Sequence, residues 1–173
     1  MTHPLSHLNM HIKTRHDTFF WVAGAVAKND VRPFLNYVYS TGTYLVASDG
    51  HRMHYAPTDL PEGYYHPETQ EAVLNILYRF PQWERLARPY VEGDLVDAKF
   101  TTDHPLMDYP AKGREYVGLD GDAYDLRYVK KACFKAPFVI RNITNTSNTT
   151  IRIDYDNGFR AVLLPMKLPK KKA

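Results

Sequence analysis

The sequence has little of what most catalytic and metal centres are built from. Of 173 residues only one is cysteine, Cys133. That excludes an internal disulfide and a structural zinc site made of several thiolates. No glycine loop that would cradle a phosphate is present, and no carboxylate dyad or nucleophile elbow. No catalytic residue and no cofactor are therefore expected. Long apolar runs are missing too: nothing approaches a membrane span, and the first residues lack the core of a signal peptide. The expectation is a reducing, cytoplasmic setting without a membrane partner. His3, His7 and His11 recur every four residues, but Pro4 breaks any helix and His11 falls in a strand-like pattern, so no metal site is expected. Asn142, Asn145 and Asn148 each open an N-x-S/T triplet, which reads as a polar turn where no secretory route exists. Asp49 and His51 have no nucleophile nearby in the pattern. Cys133 sits on an apolar helical stripe and reads as core.

Hydrophobic residues make up 44% of the chain, enough for one domain to bury a core unaided. The net charge of +3 hides a division. Residues 1–110 hold nine basic against thirteen acidic side chains, and residues 111–173 hold thirteen against six. A chain polarised in this way suits a polyanion at one end.

Periodicity predicts a short strand over 8–14, then a helix capped by Asp17 that runs through Phe19, Phe20, Ala23, Val26 and Ala27 and stops at Arg32-Pro33. Two extended runs follow, 34–40 and 44–55, joined at Thr41-Gly42-Thr43 as a hairpin. Residues 68–80 have helical spacing through Val73, Leu74, Leu77 and Tyr78, ended by Pro81. A short helix over 82–87 would pack Trp83 and Leu86. The pattern then repeats: a strand over 114–119, a helix capped by Asp120 or Asp122 through Leu126, Val129 and Cys133 and closed by Pro137, a strand over 138–143, and a turn at 145–148. Asp156-Asn157-Gly158 next joins strands over 150–155 and 159–166, because these residues tolerate the positive φ of a tight hairpin. Strand, helix and hairpin thus occur twice. The predicted organisation is one α+β domain over 1–173: a first repeat at 8–58, an insertion or degenerate repeat at 59–113, a second repeat at 114–168 and a basic tail at 169–173.

Residues 31–57, VRPFLNYVYSTGTYLVASDGHRMHYAP, resemble the middle domain of the bacterial β-type DNA sliding clamp (DNA polymerase III β subunit). That family has an R-x-x-L-N-G strand followed by V-A-T-D-G-H-R-L, matched here by Val46-Ala47-Ser48-Asp49-Gly50-His51-Arg52-Met53. Residues 161–168, AVLLPMKL, are similar to the family's V-V-M-P-M-R-L, with Lys167 in place of its arginine. Met107-Asp108-Tyr109 is similar to the F-P-D-Y linker between them. The resemblance implies a clamp-like domain of two β-α-β-β-β units, shortened in the way of a virus-encoded relative. It also implies an apolar groove for partner peptides at Gly50, His51, Arg52, Met53, Leu164, Pro165 and Met166. Within one domain, the two halves of that groove are expected to meet only across a subunit interface, which predicts a homo-oligomer.

Arg127, Lys131 and Lys135, spaced by four with Lys130 beside them, form one cationic stripe on the second helix. Lys167, Lys170, Lys171 and Lys172 form a basic tail, which grips phosphate without reading sequence. Tyr124 and Tyr128, four apart on the same helix, are candidates for stacking unpaired bases. Together these residues predict a DNA-binding accessory protein of replication or transcription that contacts single- or double-stranded DNA and a DNA or RNA polymerase. The alternatives are a single-stranded DNA-binding protein or RNA polymerase cofactor without a ring, and a clamp mimic that occupies the clamp's partners.

Overall fold

The structure is a computed structural model that describes residues 15–87, 116–119, 122–134, 136–143 and 150–166. Eight strands form one antiparallel sheet: β1 (Val38–Ser40), β2 (Tyr44–Ser48), β3 (Arg52–Pro57), β4 (Gly63–Tyr65), β5 (Ala72–Val73), then β8 (Phe138–Asn142), β9 (Ile151–Tyr155) and β10 (Arg160–Leu163). Their order across the sheet is β5-β4-β1-β2-β3-β10-β9-β8, while β6 (Tyr116–Leu119) and β7 (Asp122–Asp125) make a separate ribbon. Two three-stranded meanders, β1-β2-β3 and β8-β9-β10, therefore meet back to back at the β3–β10 pair. Each is preceded by a helix, α1 (Arg15–Ala23) or α3 (Leu126–Ala132). The duplication legible in the sequence is the symmetry of this sheet.

Alternation of side chains along the strands sets the two faces. Leu45, Ala47, Ala56, Ile151, Ile153, Ala161 and Leu163 point to one side, where Phe19 and Val22 of α1 and Val129 and Ala132 of α3 cover them. The two helices lock together through Trp21, whose Nε1–H donates to Ala132 O at 3.3 Å. Its ring stacks on His54 at 4.5 Å and on Phe159 at 5.1 Å. On the other side Val46, Met53, Tyr55 and Val162 pack beneath Trp83 and Ala87, the latter ending the short helix α2 (Glu84–Ala87). Asp154, buried on that side, draws in Arg141, Arg152 and Arg160 from three adjacent strands.

Several boundaries differ from the sequence pattern. The first helix stops at Ala23, not Ala27: Gly24 N–H bonds back to Phe20 O, and Ala25 and Val26 N–H turn to 3-10-type partners. Asp17 lies inside the first turn rather than at the cap. Residues 33–36 form a 3-10 turn, so only the end of the 34–40 run is strand. The 44–55 run is a hairpin of its own, bent at Asp49-Gly50-His51, where Gly50 takes φ +89°. The helix expected over 68–80 is absent. Gln70 N–H and His66 O close a turn at 2.9 Å, β5 follows, and Leu74 and Leu77 are 90% and 95% exposed. Leu86 is exposed as well, and Ala87 takes the buried place beside Trp83. In the second half residues 122–125 pair with β6, and Asp125, not Asp120 or Asp122, caps the helix by accepting from Arg127 N–H at 2.9 Å. The strand expected over 8–14, the 107–109 match and the 145–148 turn lie outside the described residues.

Candidate nucleic-acid interface and partner surface

Helix α3 presents its charge as the spacing requires. Val129 and Ala132 are buried, which turns Arg127, Lys130 and Lys131 outward as exposed residues. Arg127 is held in place: its Nε and Nη2 reach the Asp125 carboxylate at 3.1 and 2.7 Å, and that partner raises its pKa. Lys130 and Lys131 form no ion pair with any described residue, and neither does exposed Lys28 in the loop after α1. The end of α1 approaches α3 closely, since a Cβ added at Gly24 would stand 3.7 Å from Lys131 Cδ. Between these elements and the β2–β3 turn opens a cleft of ≈ 600 Å³.

Of the two tyrosines expected to stack on bases, Tyr124 is ruled out by its burial. Tyr124 is 1% exposed, a core residue of β7 rather than of the helix, and offers no face to a base. Tyr128 is half-buried, with the Arg52 guanidinium 4.3 Å over its ring and burial raising its pKa. Lys135, Lys167, Lys170, Lys171 and Lys172 lie outside the described residues, as do His3, His7 and His11. α3 ends at Ala132, so the stripe on the helix itself runs from Arg127 to Lys131. Cys133 is buried as expected, and desolvation pushes its thiol up to about 12, out of reach of reactivity.

The β2–β3 turn is built around Asp49. Its carboxylate accepts from His51 N–H at 2.9 Å, from Arg52 N–H at 3.1 Å and from Arg52 Nε at 3.1 Å. Three hydrogen bonds thus hold the loop to this carboxylate, and Asp49 and His51 sit in a turn. The two motifs assigned to a peptide groove then meet inside a single chain. β3 pairs with β10 in the register Arg52↔Leu163 and Met53↔Val162, and Leu164 N–H continues the ladder to His51 O at 3.0 Å. Met166 N–H donates to Ala123 O at 2.8 Å. This corrects the expectation that a subunit interface is needed to bring them together. The antiparallel joint between the two meanders does so, a pairing that no single-strand pattern reveals.

Not every groove residue faces the same way. Met53 is 3% exposed and belongs to the core beneath Trp83. Arg52 turns under α3 toward Tyr128. Gly50, His51 and Leu164 are exposed and Pro165 and Met166 partly so, leaving a narrower surface than the motifs imply. Sequence reasoning missed Lys28 as a member of the basic cluster, because its closeness to α3 depends on the packing of α1. It also missed Asp154 and its three arginines, whose i,i+2 and cross-strand placing in β8–β10 is a legible signal once strand pairing is known.

No family model matches the chain, and no curated protein matches it. Solved structures do. DNA polymerase III subunit beta from Pseudomonas aeruginosa superposes with TM-score 0.60 and 16% identity, over 87% of this chain and 63% of that one. The Caulobacter crescentus pol III beta gives 0.56 and 17%, over 87% and 63%. The subunit from Borrelia burgdorferi, solved with a natural product, gives 0.53 and 16%, over 87% and 60%. This chain therefore has the fold of the bacterial DNA polymerase sliding clamp, as the resemblance of residues 31–57 and 161–168 implied. It spans less than two thirds of the length of those clamps.

Proposed function

We propose that this chain is a non-catalytic, clamp-fold accessory protein of DNA replication. It holds nucleic acid against the face of α1 and α3 and recruits a polymerase peptide at the surface of His51, Leu164 and Met166. The observation that carries this reading is that Lys28 and Lys131 meet where the two helices converge, with Lys130 exposed beside Lys131 on α3, and that none of the three is paired with a described carboxylate. Unpaired surface cations on a rigid element neutralise phosphate without reading bases, so binding is sequence-independent and falls with salt. The sheet ends at β5 and β8 among the described residues, two edges through which copies of the chain pair into a larger assembly.

The test is a salt titration on linear single-stranded, linear duplex and closed-circular duplex DNA. The double variant Lys130→Gln/Lys131→Gln should lose about tenfold in affinity at low salt and flatten the slope of log K against log salt by about 2. Retention on circles alone marks a topological clamp. No affinity of the wild type for any oligonucleotide in dilute buffer refutes the reading. The clamp-mimic reading draws on the joining of both peptide motifs in one chain, and predicts tight binding of clamp-binding peptides with no DNA affinity. Leu164→Asp should abolish peptide binding in either case.

A further inference from the structure

The cleft between α1 and α3 has its own chemistry. Its walls carry Lys28 from the loop after α1, Arg52 from the β2–β3 turn, and Arg127 and Lys131 from α3, against the carboxylates of Asp30 and Asp49. Both carboxylates are committed elsewhere: Asp30 to the Arg32 guanidinium, through two contacts of 2.9 Å, and Asp49 to the turn it shapes. Lys28 and Lys131 have no described partner across the cleft, and Arg52 keeps a buried Nη1 with no hydrogen-bond acceptor. The carbonyls at the end of α1, which would repel an anion, are already engaged: Val22 O and Ala23 O accept from Ala25 and Val26 N–H, and Trp21 O from His54. The formal balance of the four cations and two carboxylates is +2. A volume of ≈ 600 Å³ lies within the range of about 300–1,000 Å³ typical of small-molecule clefts.

We propose that this cleft is a binding site for a nucleotide phosphate monoester, with the phosphate between Lys28 and Lys131 and facing Arg52. A monoester carries about −1.5 to −2 at neutral pH, which matches the cleft's excess, whereas a backbone diester carries a single charge and leaves it half-neutralised. The guanidinium of Arg52 is pre-set by Asp49 and the Tyr128 ring, so little rotamer freedom remains to be lost on binding. The site shares a face with the proposed nucleic-acid surface but does not depend on it, since both a strand terminus and a free nucleotide present the same group.

The experiment measures binding of deoxyadenosine 5′-monophosphate by calorimetry. Alongside it, a 5′-phosphorylated oligonucleotide is compared with its 5′-hydroxyl twin in low-salt, phosphate-free buffer at pH 7.5. Saturable 1:1 binding of the mononucleotide supports the site. A several-fold preference for the phosphorylated oligonucleotide, competed by the mononucleotide, names a strand end as the source. Mononucleotide binding with no such preference names the free nucleotide. Lys28→Gln and Lys131→Gln, both at exposed positions, should each weaken mononucleotide binding about tenfold. Lys130→Gln, outside the cleft, should leave it unchanged while still reducing general DNA affinity. The proposal is overturned if the mononucleotide does not saturate, or if Lys130→Gln weakens it as much as Lys131→Gln does. Loss of DNA binding with the mononucleotide site intact would sink only the accessory-protein reading.

Discussion

The two meanders share a connectivity and one apolar core, but they add different contacts to it. The first is joined to the molecule through apolar and aromatic contact. Phe19 and Trp21 of α1 are buried against β2 and β3, and Trp21 reaches over to Phe134, Tyr155 and Phe159 of the second. The second is held internally by ions: Asp154 gathers one arginine from each of β8, β9 and β10, and Arg152 sends its Nη1–H on to Ala87 O at 2.8 Å. A duplicated scaffold thus leaves each copy free to specialise. The first half supplies the plug, and the second supplies the cationic helix and a buried ion cluster.

The comparison breaks most visibly at Trp21. Removing an indole that is 2% exposed and sits between both halves should cost about 4–5 kcal/mol. Trp21→Ala should bring the unfolding of both halves down together in one transition. Two separated transitions in denaturant would show that the halves stand independently. Next comes Asp154→Ala, which leaves Arg152 buried without its counter-charge and should destabilise by about 3 kcal/mol. Asp154→Asn, which keeps an acceptor, should recover part of that loss, and an effect below about 1 kcal/mol for Asp154→Ala would remove the ion cluster from the account.

How much of this contrast was legible in the sequence follows from what each feature depends on. The hairpin at Asp156-Asn157-Gly158 and the apolar stripe of α3 are local, so residue order alone revealed them; the family resemblance pointed to the two end motifs but not to their pairing within one chain, which joins β3 to β10 across most of the sequence. Residues 68–80 misled because Val73, Leu74, Leu77 and Tyr78 have helical spacing but no surface to pack on. Periodicity reports a face only where something buries it. Tyr124 misled because Asp122–Asp125 pairs as a strand with β6, which moves the cap to Asp125 and turns the ring inward. Lys28, Lys131 and Arg52 come together only through the helix–helix packing around Trp21, a tertiary fact with no local trace.

Acid should sharpen the contrast, because the buried histidine belongs to the first half. His54 lies opposite Ala161 in the β3–β10 pair. Its Nδ1 contacts Trp21 O at 2.8 Å and, facing a carbonyl, must carry the proton, while its Nε2 is buried with no partner. Burial holds its pKa at about 3, and the neighbouring Arg52 and Lys131 add to that depression. The folded state therefore resists a proton that the unfolded chain takes up below about 6.5. Stability is complete above that pH and falls by about 1.4 kcal/mol per unit down to about 3, reaching about 2 kcal/mol at pH 5. Denaturant midpoints at pH 7 and 5 should show this slope in the wild type and a shallower one in His54→Gln. Equal slopes would place the acid sensitivity elsewhere.

The smallest effect separates the two hairpin turns. Gly50 and Gly158 have nearly the same backbone, φ +89° and +88°, so alanine at either position bears the same left-handed cost of about 1 kcal/mol. Their neighbours differ. A Cβ at Gly50 would meet the Nη2 of Arg32 at 3.1 Å, the far end of a flexible side chain that is 51% exposed and anchored only by its surface pair with Asp30. A Cβ at Gly158 would meet Cγ of Pro57 at 3.0 Å, part of a ring fixed at the end of β3. Gly158→Ala should therefore cost more than Gly50→Ala by about 0.5–1 kcal/mol, a difference set by overpacking alone. Because the Gly50 turn borders both the cleft and the partner surface, Gly50→Ala should disturb ligand binding more than stability, and Gly158→Ala the reverse. Equal losses of stability, measured side by side, would mean that the backbone term swamps the neighbours and that the two turns are interchangeable.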